Sequence, residues 1–520
     1  MAGLYHFLQY DSELHRYRSM IMKKLLWFLT IASISITACD KTGTKPDDIE
    51  PEITEPENNY LYVNSFAYST MKTYYLWEAE ISQAFASWND NDEPKAKVKE
   101  ARYKDSEGND IDKWTTLTDD YSSFASSVNG VTTTYGLDYT LYYTDNTHKS
   151  VCMVVNYTAE NSPARKAGLK RGDVIMKVGG NELGINEYVK ILTNGFHNAA
   201  NCILTLLDGS TVTMAAVEMY EDPVLLYKTF SFNNKKVGYL VYNSFTLASW
   251  ERLIEACKYF KKEGVTELIL DLRYNSGGYV TTEYTLASML APKSAVESKA
   301  VFEKEVYNAA LQNALGDTDV LFKDSFSYTQ NNQTVTYSTA DANIGLSKIY
   351  VLYTSSSASA SESLIVGLRP YMDIEIIGSQ SSGKYCSGII YPASSWVEDY
   401  KDYFSSNGMS ATVAEKQTEN WGIYVMISRY ADVNGETPCM PDGFVPDIEA
   451  DDYPLEGLEL GDENETMLKT ALKRAGKTDF AEVATRAQRS ARLTPREPLG
   501  GTAANGYRIF LPDNLPELPQ

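Results

Sequence analysis

Residues 355–363 read SSSASASES and follow the apolar run KIYVLYT, so six serines, two alanines and one glutamate stand where a strand gives way to a helix. A hydroxyl at such a junction has two uses. Ser359-Ala360-Ser361-Glu362 has the S-x-x-E form of a capping box, in which serine and glutamate satisfy the free N–H groups of a helix start. The same junction also presents a serine oxygen to a cleft, with the next backbone N–H aimed at any oxyanion formed there. A nucleophilic serine needs a base. Histidine is the usual one, but the chain has only His6, His15, His148 and His197, all far in sequence from this junction. Lysine is the remaining option, and Lys384 in GSQSSGKYCSG lies past the next strand at another loop end. An amine accepts a proton near neutral pH only if burial draws its pKa down by several units from about 10.4. No metal-ligand spacing and no cofactor motif accompanies these residues.

The elements that must carry this chemistry are legible from residue 236 onward. KVGYLVYNSF reads as a strand, and Leu247, Trp250, Leu253, Ile254, Cys257 and Phe260 fall on one helical face. TELILDLR is a buried strand that runs into YNSGG and the helical TLASMLA. After a long insertion, 294–347, come strand KIYVLYT, helix ASESLIVGLRPYM and strand IEIIGS. Repeated β-α-β order implies a largely parallel sheet covered by helices, with ligands gathering at the carboxyl ends of the strands. YNSGG and SSSASASES both lie at such ends. The pair Asp271 and Arg273 reads as structural support at a strand end.

Composition bounds the rest. With 520 residues and 43% hydrophobic content the chain builds two to four cores, and a net charge of −22 (47 Lys+Arg against 69 Asp+Glu) argues against nucleic-acid partners. Six cysteines are scattered without a C-x-x-C pair, which argues against a zinc knuckle or dithiol site. From Met22 the chain reads MKKLLWFLTIASISITACDK, two lysines and a short apolar run ending in Ile36-Thr37-Ala38-Cys39. This resembles a bacterial lipoprotein signal, which implies cleavage before Cys39, lipid on its sulfur and a cell-envelope location. Residues 40–59 are acidic and Pro-rich, the composition of a solvated tether. Residues 60–130 carry apolar residues near helical spacing and read as a small helical domain without chemistry of its own.

Between 131 and 222 the texture changes to short strands such as VCMVVNY, CILTLL and TVTMAAV around NSPARKAGLKRGDVIMKVGGNEL. This stretch resembles a PDZ domain of bacterial proteases. The resemblance implies that a peptide's C-terminal segment adds as a strand, with Tyr135, Gly136 and Leu137 in the loop that holds its carboxylate; Asp138 is a poor neighbour for that anion.

ILDLRYNSGG, SASASE, the lysine of GSQSSGK 25 positions after Ser359, and PDGFVPDIE downstream together resemble the C-terminal processing peptidases, also called tail-specific proteases. The resemblance spans about 130–475. It implies an α/β multidomain protein with a crotonase-like core (228–475) bearing a Ser-Lys dyad, acting on proteins or peptides with exposed C-terminal tails. Carried over, Ser359 is the nucleophile, Lys384 the general base, and Gly277, Gly278 and Ala360 the oxyanion hole; Ser357 and Ser361 are structural. The chain departs from the family at Gly388, where members often carry a glutamine that orients the amine, and Ser382 or Ser387 is the substitute considered. The competing readings are a peptide-binding relative with an inactive dyad, which acts through its PDZ-like domain, and a purely structural surface lipoprotein. Residues 476–520 read as a mobile tail. Intact-mass analysis of protein extracted from membranes should show an acylated chain beginning at Cys39; an unmodified terminus upstream of Met22 refutes the anchor.

Overall fold

An Asn-Asn pair with positive φ, Asn233 and Asn234, turns the chain tightly between β1 (Val224–Phe232) and β2 (Lys235–Tyr242), the left-handed geometry that a two-residue hairpin demands. The structure is a computed structural model that describes residues 60–89, 91–330, 333–406, 409–481 and 507–510. The leader, Cys39 and the acidic tether lie outside the described residues. Helix α1 (Trp250–Glu263) buries Trp250, Leu253, Ile254, Cys257 and Phe260 as the spacing requires, and ends at left-handed Gly264. The chain continues through β3 (Glu267–Asp271), β4 (Gly277–Tyr279), α2 (Val280–Leu290), β5 (Val301–Tyr307) and β6 (Asp319–Leu321). There follow β7 (Lys348–Tyr353), α3 (Ala360–Leu368), β8 (Asp373–Gly378), β9 (Cys386–Pro392), β10 (Gly422–Ala431), β11 (Ile448–Glu449) and α4 (Thr466–Arg474), with β12 (Tyr507–Phe510) last among the described residues.

The first sheet has the order β1-β2-β3-β7-β8-β11 and is parallel from β2 onward. Its strands are apolar on both faces because both are covered. Leu268 and Leu270 face the main core, whereas Ile269 between them packs with Met467, Leu468, Ala471 and Leu472 of α4. The second sheet has the order β4-β12-β9-β10-β5-β6, and Thr116–Thr118 pairs with β10 at Gly422–Tyr424.

Two expectations change, and the insertion, which the sequence left unassigned, has a defined structure. Residues 60–128 are helical (Leu61–Tyr74, Ser82–Ala86, Pro94–Glu100, Tyr121–Val128), but they have no separate core. Val63, Phe66, Met71 and Tyr75 join the main cluster, where Phe66 stacks on Tyr391 at 6.2 Å, because helices this short cannot bury an apolar stripe against one another. The insertion 294–347 supplies β5 and β6 to the second sheet, together with the hairpin Ser325–Gln330 and Gln333–Ser338. Within the expected mobile tail, residues 507–510 form β12, and Ile509 and Phe510 are buried in the main core.

Residues 131–220 form a β-rich unit whose six-stranded sheet closes over its own cluster of Met153, Val155, Ile175 and Leu204. Ser162 caps its helix Pro163–Lys166 through Oγ, with the proline in the first turn. A buried ionic cluster ties this unit to the core. Arg171 reaches the Asn156 carbonyl at 3.0 Å, Tyr274 Oη at 2.6 Å and Asp452 at 2.5 Å, while Arg273 binds Asp271, Asp452 and Glu465 at 2.7–3.1 Å. Asp271 and Arg273 are thus support, as their strand-end position indicates. Burial opposes the charge on Asp452, but the two guanidiniums and the Tyr274 hydroxyl outweigh it and hold the carboxyl at about 2; Glu465 is lowered by the same guanidiniums. A depressed carboxyl contributes stability that is complete above its unfolded pKa of about 3.9 and lost as pH falls through the folded value. Urea midpoints should therefore drop between about pH 4 and pH 2 in the native chain, and less steeply in Asp452→Asn, which is weaker throughout; equal slopes refute the assignment.

Candidate active site

β7 leaves the first sheet and turns into α3 through Thr354–Ser359, and the turn is pinned from beneath. Asn275, fully buried after β3, accepts the Ala358 N–H at 3.1 Å and the Ser361 hydroxyl at 2.9 Å on its carbonyl. Ser357 Oγ donates to the Leu272 carbonyl at 2.8 Å, Ser363 Oγ to Glu303 at 2.5 Å, and Thr354 Oγ1 to the Arg273 carbonyl. Ser359 closes the turn with φ 65° and ψ −114°, backbone that costs a side-chain-bearing residue about 1–3 kcal/mol and persists only where neighbours impose it. Its hydroxyl lies at the capping position toward the Glu362 N–H. It is fully buried and completes no hydrogen bond of normal geometry, whereas those of Ser357, Ser361 and Ser363 are all committed.

Glu362 is the hub. Its Oε2 accepts the N–H of Ser359 and the N–H of Lys384, both at 2.9 Å; its Oε1 accepts Ser381 Oγ at 2.5 Å and the Gly383 N–H at 2.7 Å. Burial raises the pKa of this carboxyl, and the four donors oppose the rise. The backbones of Ser359 and Lys384 thus meet at one shared oxygen atom, while the Ser359 hydroxyl completes no hydrogen bond to the Lys384 amine. Tyr430 Oη adds a second tie between the Lys384 carbonyl, at 2.7 Å, and the Ser359 carbonyl, at 3.4 Å.

The Lys384 side chain is fully buried. Its Nζ hydrogen-bonds Tyr424 Oη at 2.9 Å and lies 5.6 Å from the ring centre of Trp114, so aromatic surfaces replace water around the amine. The amine is met by Tyr424 of β10, which sequence reasoning missed while considering Ser382 and Ser387. Gly388 explains the exchange: a Cβ there would stand 2.7 Å from the Tyr424 ring, so loss of that side chain makes room for the tyrosine. Trp114 was missed as well, because it belongs to the segment read as free of chemistry. The one signal for Tyr424 was Gly388 itself, an empty position where the family places an orienting group.

The glycine turn is divided. The Gly277 N–H is taken by Asn275 Oδ1 at 2.9 Å, while the Gly277 carbonyl and the Tyr279 N–H pair with Phe245. Strand alternation turns the N–H and C=O of Gly278 to the opposite edge. Gly278 has φ 145°, and a Cβ would stand 2.5 Å from the Phe245 carbonyl oxygen, so only glycine fits. Of the expected oxyanion donors, Gly277 gives its N–H to Asn275, Gly278 turns its N–H to the edge that pairs with β12, and Ala360 is the first residue of α3. Tyr135, Gly136 and Leu137, expected to hold a peptide, lie in the β-rich unit. Tyr135 and Leu137 line a cleft of about 620 Å³ with Asp138, Phe196 and His197; the Gly136 N–H is given to Thr134 Oγ1 at 2.9 Å. Burial pushes Asp138 up to about 6.

The fold is mixed α/β and multidomain, and it matches that of solved S41 protease structures. A Bacteroides fragilis crystal structure described as an S41 protease superposes with a TM-score of 0.61 at 24% identity, covering 80% of this chain and 98% of that one. Residues 236–450 match the model of peptidase family S41. A carboxyl-terminal-processing protease of a Picosynechococcus species is 23% identical over 320 residues, 60% of this chain and 64% of that protein. A Staphylococcus aureus protein named as a CtpA-like serine protease is 27% identical over 236 residues, 45% of this chain and 42% of the relative. The chain thus spans less than two thirds of the length of these relatives.

Glu362→Gln places an amide NH₂ against at least one pair of these donors. It should cost about 2–4 kcal/mol in chemical denaturation, consistent with loss of hydrogen bonds to a buried charged group. An unchanged midpoint refutes the hub.

Proposed function

We propose that this chain is a serine endopeptidase of the C-terminal processing type, with Ser359 as nucleophile and Lys384 as general base on a crotonase-like core. The observation that carries the reading is the Ser359 hydroxyl, fully buried and completing no hydrogen bond of normal geometry while those of Ser357, Ser361 and Ser363 are committed, with Glu362 holding its backbone to that of Lys384. In the reaction the neutral Lys384 amine takes the Ser359 proton as Oγ attacks the substrate carbonyl carbon. The oxyanion develops toward the N–H groups of Gly278 and Ala360. The ammonium then returns its proton to the leaving amine, and a water deprotonated by the same amine hydrolyses the acyl-enzyme. Tyr424 orients the amine in place of the glutamine that Gly388 replaces. We assign the cleft at Tyr135 and Leu137, in a PDZ-like unit, to substrate chain ends. Cys39 is the lipid anchor that holds the protein at the cell envelope.

The second reading, a peptide binder with an inert dyad, draws on Gly388; the hydrogen bond from Lys384 to Tyr424 supports the first reading by giving the amine another partner. Cleavage of an unfolded protein with an apolar C-terminus should fall at least ~10³-fold in Ser359→Ala, in Lys384→Ala and in Lys384→Arg, because guanidinium keeps its proton. The double variant Ser359→Ala/Lys384→Ala should be no worse than either single one. Retained cleavage in Ser359→Ala refutes the nucleophile; no cleavage by the native chain on any tail favours the peptide binder.

A further inference from the structure

The second sheet is continuous only through β12. Strand β4, which carries the glycine turn, does not pair with β9, which follows Lys384; β12 lies between them, parallel to both. The register sets Gly277 opposite Tyr507, Gly278 opposite Arg508, and Gly388 opposite Ile509. In a parallel ladder the N–H and C=O of a residue reach the two residues flanking its partner. The outward edge of Gly278 therefore meets the Tyr507 carbonyl and the Ile509 N–H, which places a peptide carbonyl of the chain's own tail at a proposed oxyanion donor. Ile509 and Phe510 fill the main core, and the Phe510 ring lies 6.4 Å from Tyr307.

We infer that the gap between β4 and β9 is a slot for one extended peptide strand with apolar side chains, and that residues 507–510 fill it in cis as a competitor of substrate. The inference rests on the peptidase reading of Ser359 and Lys384, and it deepens that reading by naming the ligand's form. A strand bound by main-chain hydrogen bonds on both edges accepts many sequences, while the apolar floor selects side chains such as those of Ile509 and Phe510. A strand that belongs to the same chain competes as an intramolecular ligand, so free peptide enters only when the tail leaves.

The test uses the full chain. Ile509→Pro removes the N–H that faces Gly278, and Phe510→Asp places a charge in the apolar floor. In a Ser359→Ala background, a fluorescent peptide AANGYRIFLP should bind either variant about tenfold or more tightly than it binds the chain with its native tail, by anisotropy. In the background with Ser359 present, KM for an unfolded protein should fall in the same proportion at unchanged kcat. Equal binding by native and variant tails, or a raised KM with lost peptide binding, makes β12 a fixed member of the sheet and overturns the inference. Because the variants can lose stability, amide exchange in the native chain gives an independent reading. Ile509 and Phe510 should exchange by local opening, faster than Ile389 and Val425; exchange of all four only through global unfolding also overturns it. If no chain cleaves but the binding difference persists, the peptidase reading fails and the slot stands. If cleavage proceeds while neither variant changes binding or KM, the slot fails and the peptidase reading stands.

Discussion

The centre of this protein is organised by one buried carboxylate. Glu362 sits on the first turn of the helix that begins at Ser359, yet its partners come from two loops, and one of its oxygens serves the N–H groups of both Ser359 and Lys384. A carboxylate removed from water is tolerated only when its lone pairs are filled, and four donors fill them here. The positive φ of Ser359 needs the same support, since strained backbone lasts only where surrounding bonds over-determine it. A local capping pattern has thus become a long-range clamp.

The rest of the site reflects substitution in space rather than along the chain. Gly388 and Tyr424 lie on adjacent antiparallel strands, so the loss of a side chain from one strand is filled by a ring from the next. The same logic brings Trp114 to the amine. The short helices of residues 60–128 cannot make a core alone, and packing them against the second sheet carries the following loop to Lys384. Asn275 plays the matching part beside the glycine turn, because its amide and carbonyl join that turn to the serine turn.

Two cores meet at the ionic cluster of Arg171, Arg273, Asp452 and Glu465. Breaking one partner of such a cluster is costly because it strands a buried charge, typically by about 3–5 kcal/mol, so the cluster fixes where the β-rich unit attaches. The attachment adjoins the support of the serine turn in sequence: Tyr274, which binds both Arg171 and Asp452, directly precedes Asn275.

The sequence by itself determined the parallel sheet of KVGYLVYNSF, TELILDLR, KIYVLYT and IEIIGS, because strands buried on both faces must be apolar throughout. It also determined the helix at Ala360 and the placing of YNSGG and SSSASASES at strand ends. These are local properties, written in period and punctuation. Only the tertiary structure decided that the Ser359 hydroxyl is buried without a bond of normal geometry while Ser357, Ser361 and Ser363 are committed, since that follows from where Leu272, Asn275 and Glu303 sit. Only it decided that Gly277 spends its N–H on Asn275, that Tyr424 meets Lys384, and that 507–510 is a strand rather than a loose tail. Each of these depends on partners tens to hundreds of residues away, and nothing in the local sequence records a contact that exists only after the sheets are assembled.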